Sequence, residues 1–207
     1  MLGKFLPNIR AVSWTALAVG AAFVAYWGFA VVHTDQTTFW QVVFRWLHVL
    51  SGIMWIGHLY YFNFTQVPNA PKIPAEHRGP AIAKVIAPAA LFWFRWGAVA
   101  TLVTGLILAQ INGYLVQALA LGATEEFSVP KNILIGIGMW LAIIMFINVW
   151  AVIWPNQQKA LGIGEENAKL PQEAKDKAAR TAMLFSRTNT FLSVPMLVAM
   201  TGAQTFG

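Results

Sequence analysis

The sequence predicts an all-α integral membrane protein, a single domain built as a five-helix transmembrane bundle. Of its 207 residues, 57% are hydrophobic and 11% are charged, whereas about a quarter of the residues carry charge in soluble domains. The apolar residues also gather in five stretches of about 20 residues, the length that a helix needs to cross a bilayer. The predicted spans, called A to E, are Val12–Val32, Phe39–Phe62, Ile86–Ala109, Asn132–Trp154 and Ala182–Met200.

The composition excludes several classes of protein. The chain has ten tryptophans and no cysteine, so it is neither a disordered chain nor a disulfide-stabilised secreted module. Without cysteine it also lacks thiolate catalysis, iron–sulfur ligation and a covalently attached c-type haem. The net charge of +6 reflects membrane topology, and we expect no nucleic-acid partner.

The distribution of basic residues predicts a cytoplasmic N-terminus and an external C-terminus. Basic residues cluster before span A, between spans B and C, and between spans D and E: Lys4, Arg10, Lys72, Arg78, Lys84, Lys159, Lys169, Lys175, Lys177 and Arg180. The two remaining connections hold Lys131 against Asp35, Glu125 and Glu126. Since cytoplasmic loops are enriched in lysine and arginine, the acidic connections are expected outside.

Prolines and short apolar pieces predict where the helices end. Six prolines lie between or beside the spans, where a proline usually ends a helix: Pro68, Pro71, Pro74, Pro130, Pro155 and Pro171. Pro88 and Pro195 fall inside spans C and E and are expected to kink them. The segment Tyr114–Leu121 is too short to cross, so it lies on the outer surface or caps the bundle, and a surface helix is expected from Pro171 onward.

One face of span B is the first candidate site. Arg45, His48, Gly52 and Trp55 are spaced so that they share a helix face, and Gly52 leaves room beside the imidazole for a planar ligand. The alternative is that Gly52 lets another helix pack closely, while His48 bonds a neighbour and Arg45 extends to the membrane interface.

Polar residues in the other spans suggest a second zone. Strongly polar groups at membrane depth usually face a protein interior. By position, Arg95, Asn148, Asn189 and the more interfacial Arg187 and His58 belong to the cytoplasmic half or the midplane, whereas His48 belongs to the outer half. No span contains an acidic residue, so Arg95 needs another acceptor: helix carbonyls, a haem propionate, an anionic substrate or a partner subunit.

Haem b is the candidate cofactor, with His48 as its metal ligand. Ligation by two histidines needs two imidazoles at one depth, and His48 and His58 lie ~15 Å apart along one helix. His33 is the only other candidate partner for His48, and it is shallower. The remaining possibility is that haem b is held by His48 together with a second ligand that is not a histidine.

Three stretches resemble the membrane domain of bacterial urate hydroxylases, the urate oxidase N-terminal family. They are RWLHVLSGIMWIG (Arg45–Gly57) with LYYF (Leu59–Phe62), FWFRWGAVATLVTGLIL (Phe92–Leu108) and NTFLSVPML (Asn189–Leu197). The resemblance carries His48, Trp55, Arg95, Asn189 and Pro195. It implies a bacterial inner-membrane location. Full-length members of this family carry a C-terminal cytochrome c domain that takes electrons away, and this sequence has no CxxCH motif. The resemblance is therefore to the membrane domain without its cytochrome c domain, and it implies electron transfer to a separate cytochrome c.

Three functions follow as hypotheses. The first is an integral-membrane subunit of a redox complex that contacts lipid and other membrane subunits and binds haem b. The second is a scaffold subunit without chemistry, whose polar residues serve only helix packing. The third is a purine hydroxylase, an oxidoreductase in which Arg95 and Asn189 hold urate and His48 moves protons.

Overall fold

The computed structural model describes residues 6–206, with the side chain of Ala75 excepted. Lys4, one of the residues used to predict the orientation, lies outside this part of the chain. The described residues form helices joined by turns: α1 Ile9–Val31, α2 Gln36–Lys72, α3 Glu76–Ile111, α4 Leu115–Leu119, α5 Pro130–Leu161, α6 Glu165–Ala168 and α7 Gln172–Gly202. The all-helical class is confirmed.

Four helices, α1, α2, α3 and α5, are long and apolar enough to cross a membrane. They contain the predicted spans B to D completely, and span A except for its last residue, Val32. Helix α7 is continuous over 31 residues and contains span E. Because of its polar residues, α7 is not among the four helices that are apolar enough to cross a membrane. The surface helix expected from Pro171 and the last span are therefore one helix, and the fifth span stays a prediction.

Two of the six prolines do not end their helices as predicted. Helix α2 continues past Pro68 to Lys72, and α5 continues past Pro155 to Leu161. A wider, π-helical segment precedes each of these prolines, Tyr61–Gln66 in α2 and Asn148–Ile153 in α5. Proline lacks an N–H and its ring clashes with the carbonyl four residues earlier, and the wider turn accommodates both defects. Helix α3 has the same arrangement, with Gly79–Ile86 before Pro88.

Helices α2 and α3 run antiparallel and form the most extensive helix pair. Gly97 of α3 allows this approach, because a Cβ there would lie 3.1 Å from the backbone nitrogen of Trp55. Helix α7 packs on α5 and contacts α2. The main core lies where these four helices meet, around Trp55, Leu59, Phe94 and Met145, each at most 1% exposed.

Helix α1 lies at the side of this bundle. None of its residues is buried, and Trp14, Phe23 and Tyr26 are each more than 60% exposed. It contacts α2 at Gly20, where an added Cβ would lie 2.8 Å from the ring of Trp46, and near its C-terminal end, where Phe29 stacks on Phe39 at a ring-centroid distance of 4.5 Å. The packed bundle thus consists of α2, α3, α5 and α7.

The two ends of the bundle differ in charge. The end that carries Asp35, Glu125 and Glu126 is called the acidic end, and the opposite end, which carries Lys72, Arg78 and the start of α7, is called the basic end. Helix α4 covers the acidic end. This is one of the two placements predicted for Tyr114–Leu121, the one in which the segment caps the bundle. Ala118 is fully buried, and a Cβ on Gly136 would collide with its carbonyl oxygen.

Candidate functional site: an apolar cavity beside His48

A cavity of about 730 Å³ lies between α2, α3, α5 and α7. Along α2 it extends from Arg45 to Tyr60, a length of ~22 Å for helical residues, and Tyr114 and Gln204 line the part of it nearest the acidic end of the bundle. Its walls are mainly aliphatic and aromatic, and no acidic residue from the described part of the chain lines it. Its size and apolar walls with few polar groups are typical of sites for cofactors and small molecules.

His48 is the only histidine on the wall of this cavity, and all four histidines of the sequence lie within the described residues. Its Nδ1 lies 2.9 Å from the carbonyl oxygen of Thr101 on α3. A carbonyl can only accept, so Nδ1 carries the proton and, in the neutral ring, Nε2 keeps its lone pair. Nε2 has no hydrogen-bond partner among residues 6–206. The structure therefore fixes both the tautomer and the orientation of an imidazole with one free acceptor nitrogen.

Glycines make the space around this imidazole. The ring of His48 packs on Gly105, where an added Cβ would lie 2.8 Å from Cε1. Gly52, one turn further along α2, lines the cavity and has nothing within 4 Å of an added Cβ. Within residues 6–206, no helix therefore packs closely on Gly52, as the alternative role for Gly52 would require. Trp55 lines the same wall but is 1% exposed, and its Nε1 has no partner within the described chain.

Three polar side chains from three segments line the part of the cavity nearest the acidic end of the bundle. Arg45 on α2, Tyr114 before α4 and Gln204 after α7 all line it. None of their side chains has a hydrogen-bond partner in the described part of the chain. Burial raises the pKa of Tyr114, and the positive charge of nearby Arg45 opposes that rise. The cavity wall here thus carries one positive charge, that of Arg45, and offers hydrogen-bond donors.

Arg95 does not line this cavity. It is half-buried, and its guanidinium lies 3.3 Å from the centroid of the Trp154 ring on α5. Its Nη1 has no hydrogen-bond partner among residues 6–206. The acceptors expected for Arg95 from the sequence were helix carbonyls, a haem propionate, an anionic substrate or a partner subunit, and an aromatic ring was not among them. A cation over an indole face is a stabilising contact, so this arginine has a partner within its own chain.

Asn189 does not reach the cavity either. It is fully buried: its Oδ1 accepts from Nδ2 of Asn148 at 2.9 Å, and its Nδ2 donates to the carbonyl of Met145 at 2.9 Å. The nearby bonds of Tyr60 with Ser193 (2.9 Å) and of Asn63 with Ser186 (2.7 Å) join α2 to α7. Of the five residues expected in the second polar zone, only Asn148 and Asn189 belong to this network, and its bonds join helices.

The remaining histidines lie apart from the cavity. Nδ1 of His58 lies 2.7 Å from the carbonyl of Met54 on its own helix, Nδ1 of His33 lies 2.9 Å from that of Phe29, and His77 is exposed. None of them is brought to His48. The proposed hydroxylase trio is not assembled either, since His48, Arg95 and Asn189 occupy different places in the fold.

Sequence reasoning missed several residues of the cavity. Three methionines line it from α5 and α7, Met139, Met196 and Met200, and Tyr114 and Gln204 complete its acidic end. The local signal for the methionines was weak, because a methionine in an apolar span is ordinarily a packing residue. Tyr114 and Gln204 lie outside the predicted spans. Candidate residues were chosen as polar residues within the spans, so these two were not selected.

Comparison with known proteins gives one family. Residues 106–205 match the family model described as "Urate oxidase N-terminal". This range contains α5, α7 and Asn189, but it does not include Arg45, His48, Gly52, Trp55 or Arg95. No curated protein and no solved structure matches the chain. Over residues 106–205 the chain is thus similar to the urate oxidase N-terminal family, and this match confirms the part of the resemblance that Asn189–Leu197 carries.

Proposed function

We propose that this protein is an integral-membrane subunit of a redox complex that holds haem b in the cavity beside His48. The observation that carries the proposal is the state of the imidazole: Nδ1 donates to the Thr101 carbonyl at 2.9 Å, and Nε2 is left free on the wall of an apolar cavity. Histidines that ligate metals almost always donate their other ring N–H in this manner, and histidine is the ordinary proximal ligand of haem.

The cavity fits such a group in size and chemistry. Its volume of about 730 Å³ lies within the range of ~300 to 1,000 Å³ that cofactor and ligand sites span, and Gly52 leaves open space on the wall that carries His48. Met139, Met196 and Met200 line the cavity from α5 and α7, and a thioether is an established second ligand beside histidine. The metal site needs only one protein nitrogen, since the porphyrin supplies four.

When bound, haem supplies one-electron transfer, and the chain's residues have the remaining tasks. His48 holds the iron, and the Thr101 carbonyl fixes the direction of the ring. The aliphatic walls keep water away, and the low polarity of the site sets the redox potential together with the ligand set.

The membrane arrangement that goes with this function has five spans, with span E inside α7, the basic end in the cytoplasm and the acidic end outside. The basic residues support it, because Lys72, Arg78 and Lys159 all lie at one end. We place the protein in a bacterial inner membrane. An electron would then pass between the outer half of the bundle and a separate cytochrome c.

Absorption spectroscopy of the purified protein tests this function. The protein is produced with ample haem supply, and its Soret band and pyridine haemochrome spectrum are measured for wild type, His48→Ala and His58→Ala. His58 is the matched control, because its Nδ1 also lies within hydrogen-bond distance of a carbonyl but the side chain does not line the cavity. We expect a b-type spectrum that His48→Ala abolishes and His58→Ala keeps. A wild-type protein without haem, or an equal loss in both variants, would contradict the proposal.

A scaffold role is the second candidate, and the exposure of α1 favours it. This span has no buried residue and presents Trp14, Phe23 and Tyr26 outward. Such a helix is available to pack on a neighbouring subunit in the bilayer. If replacing these three aromatics by leucine lowers the yield of an assembled complex while His48→Ala leaves both its assembly and its electron transfer unchanged, the scaffold role replaces the redox role.

A further inference from the structure

We infer that the acidic end of the cavity is a carboxylate site, in which Arg45, Tyr114 and Gln204 bind the propionates of the haem. This inference rests on the proposed function, because it assigns an orientation to the haem held by His48: apolar edge toward Tyr60, carboxylates toward Arg45.

The first argument is charge. Among the described residues, Arg45 is the only lysine or arginine that lines the cavity, and no aspartate or glutamate lines it. It forms no ion pair within residues 6–206. A ligand that fills the apolar part and places a negative charge at this end would supply the missing counter-charge, and a guanidinium binds carboxylates in a bidentate geometry.

The second argument is the number of free donors at one place. The side chains of Tyr114 and Gln204 line the same end of the cavity as Arg45, and neither has a hydrogen-bond partner in the described part of the chain. The hydroxyl and the amide reach this end from different segments, one before α4 and one after α7. Burial raises the pKa of Tyr114, so its hydroxyl stays protonated and able to donate well into the alkaline range.

The third argument is the distance along α2 between the ligand and the cation. Arg45 precedes His48 by one helical turn, ~4.5 Å of rise, and both side chains lie on the wall of the cavity. A flat ligand held at Nε2 of His48 would therefore have Arg45 within reach of a charged group on its edge. If Arg45 instead extends toward the membrane interface, the affinity of a ligand should not depend on whether the ligand carries carboxylates.

The experiment compares two ligands that differ only in the carboxylates. Protein freed of haem is titrated with haemin and with haemin dimethyl ester, and the ratio of their dissociation constants is measured for wild type, Arg45→Gln and Tyr114→Phe. Arg187→Gln is the matched control, since Arg187 is an exposed arginine on α7 that does not line the cavity. Thermal unfolding of each variant verifies that it is folded.

In wild type we expect haemin to bind about tenfold or more tightly than its diester, as one or two charge-assisted hydrogen bonds would give. Arg45→Gln should bring the ratio close to one, Tyr114→Phe should lower it partly, and Arg187→Gln should leave it unchanged. If both ligands bind through His48 but the ratio is unaffected by Arg45→Gln, the carboxylate site is wrong and the haem function stands. If neither ligand gives a His48-dependent spectrum, both are wrong.

Discussion

The imidazole of His48 packs so closely on Gly105 that a Cβ atom at residue 105 would lie 2.8 Å from Cε1 and 3.0 Å from Nδ1. Contacts this short do not occur between real atoms, so any side chain at this position must displace the ring. The ring is also held by the Thr101 carbonyl, so it cannot shift without weakening that bond. Gly105 thus determines where Nε2 stands in the cavity.

Gly105→Ala is therefore expected to weaken haem binding about tenfold or more. Overpacking a tight site costs ~1 to 3 kcal/mol, and ~1.4 kcal/mol is a factor of ten in affinity. Haemin titration measures the effect. Gly79→Ala is the control, because Gly79 has a helical φ of −58° and open space around an added Cβ. Equal affinity in wild type and Gly105→Ala would show that the ring is not confined by this contact.

The second prediction concerns the buried amides of Asn189 and Asn148. Replacing Asn189 by leucine leaves the Asn148 amide without its partner (2.9 Å) and removes the bond to the Met145 carbonyl. Leaving buried polar groups unsatisfied costs ~1 to 3 kcal/mol, so Asn189→Leu should lower the thermal unfolding midpoint. Haem affinity should stay unchanged, since Asn189 does not line the cavity. Thr188→Val, next to it and exposed, is the control.

A direct role of Asn189 in ligand binding would give the opposite result. Affinity would then fall in Asn189→Leu while the unfolding midpoint stayed close to that of Thr188→Val.

His48 and Asn189 show which features of the site could be predicted from the sequence and which could not. His48 and Gly52 could be predicted as neighbours on an open face because helix periodicity is local. Asn189 was correctly expected in a protein interior. Its partner Asn148 belongs to another helix, and the pattern of residues within one helix does not predict which helices pack together. The same holds for Arg95, whose partner Trp154 is on α5. Pro155 also misled the prediction, because a π-helical segment that begins at Asn148 absorbs it.

The third prediction is a pH dependence at the start of α2. The Asp35 carboxylate accepts hydrogen bonds from the backbone N–H (3.0 Å) and the hydroxyl (2.8 Å) of Thr38, and these bonds hold the pKa of Asp35 below its usual value of 3.8. A carboxyl with a lowered pKa in the folded state contributes stability above its unfolded pKa and loses it as the pH falls through the folded pKa.

Thermal unfolding of wild type and Asp35→Asn between neutral pH and pH ~3 measures this contribution. The amide keeps a capping oxygen but cannot titrate, so the difference in midpoint should be constant near neutral pH and shrink in the acid range. A difference that is the same at every pH would show that the charge of Asp35 is not involved.

The last prediction tests whether Trp154 is the partner of Arg95. The guanidinium lies 3.3 Å from the ring centroid, and such contacts contribute ~0.5 to 2 kcal/mol. In a double-mutant cycle with Arg95→Gln and Trp154→Leu, the unfolding free energies should therefore show a coupling of that size. The same cycle with Trp93→Leu should show none, because Trp93 is 54% exposed. A bound anion or a partner subunit as the true acceptor would make Arg95→Gln costly whether or not Trp154 is present, and the two changes would then be additive.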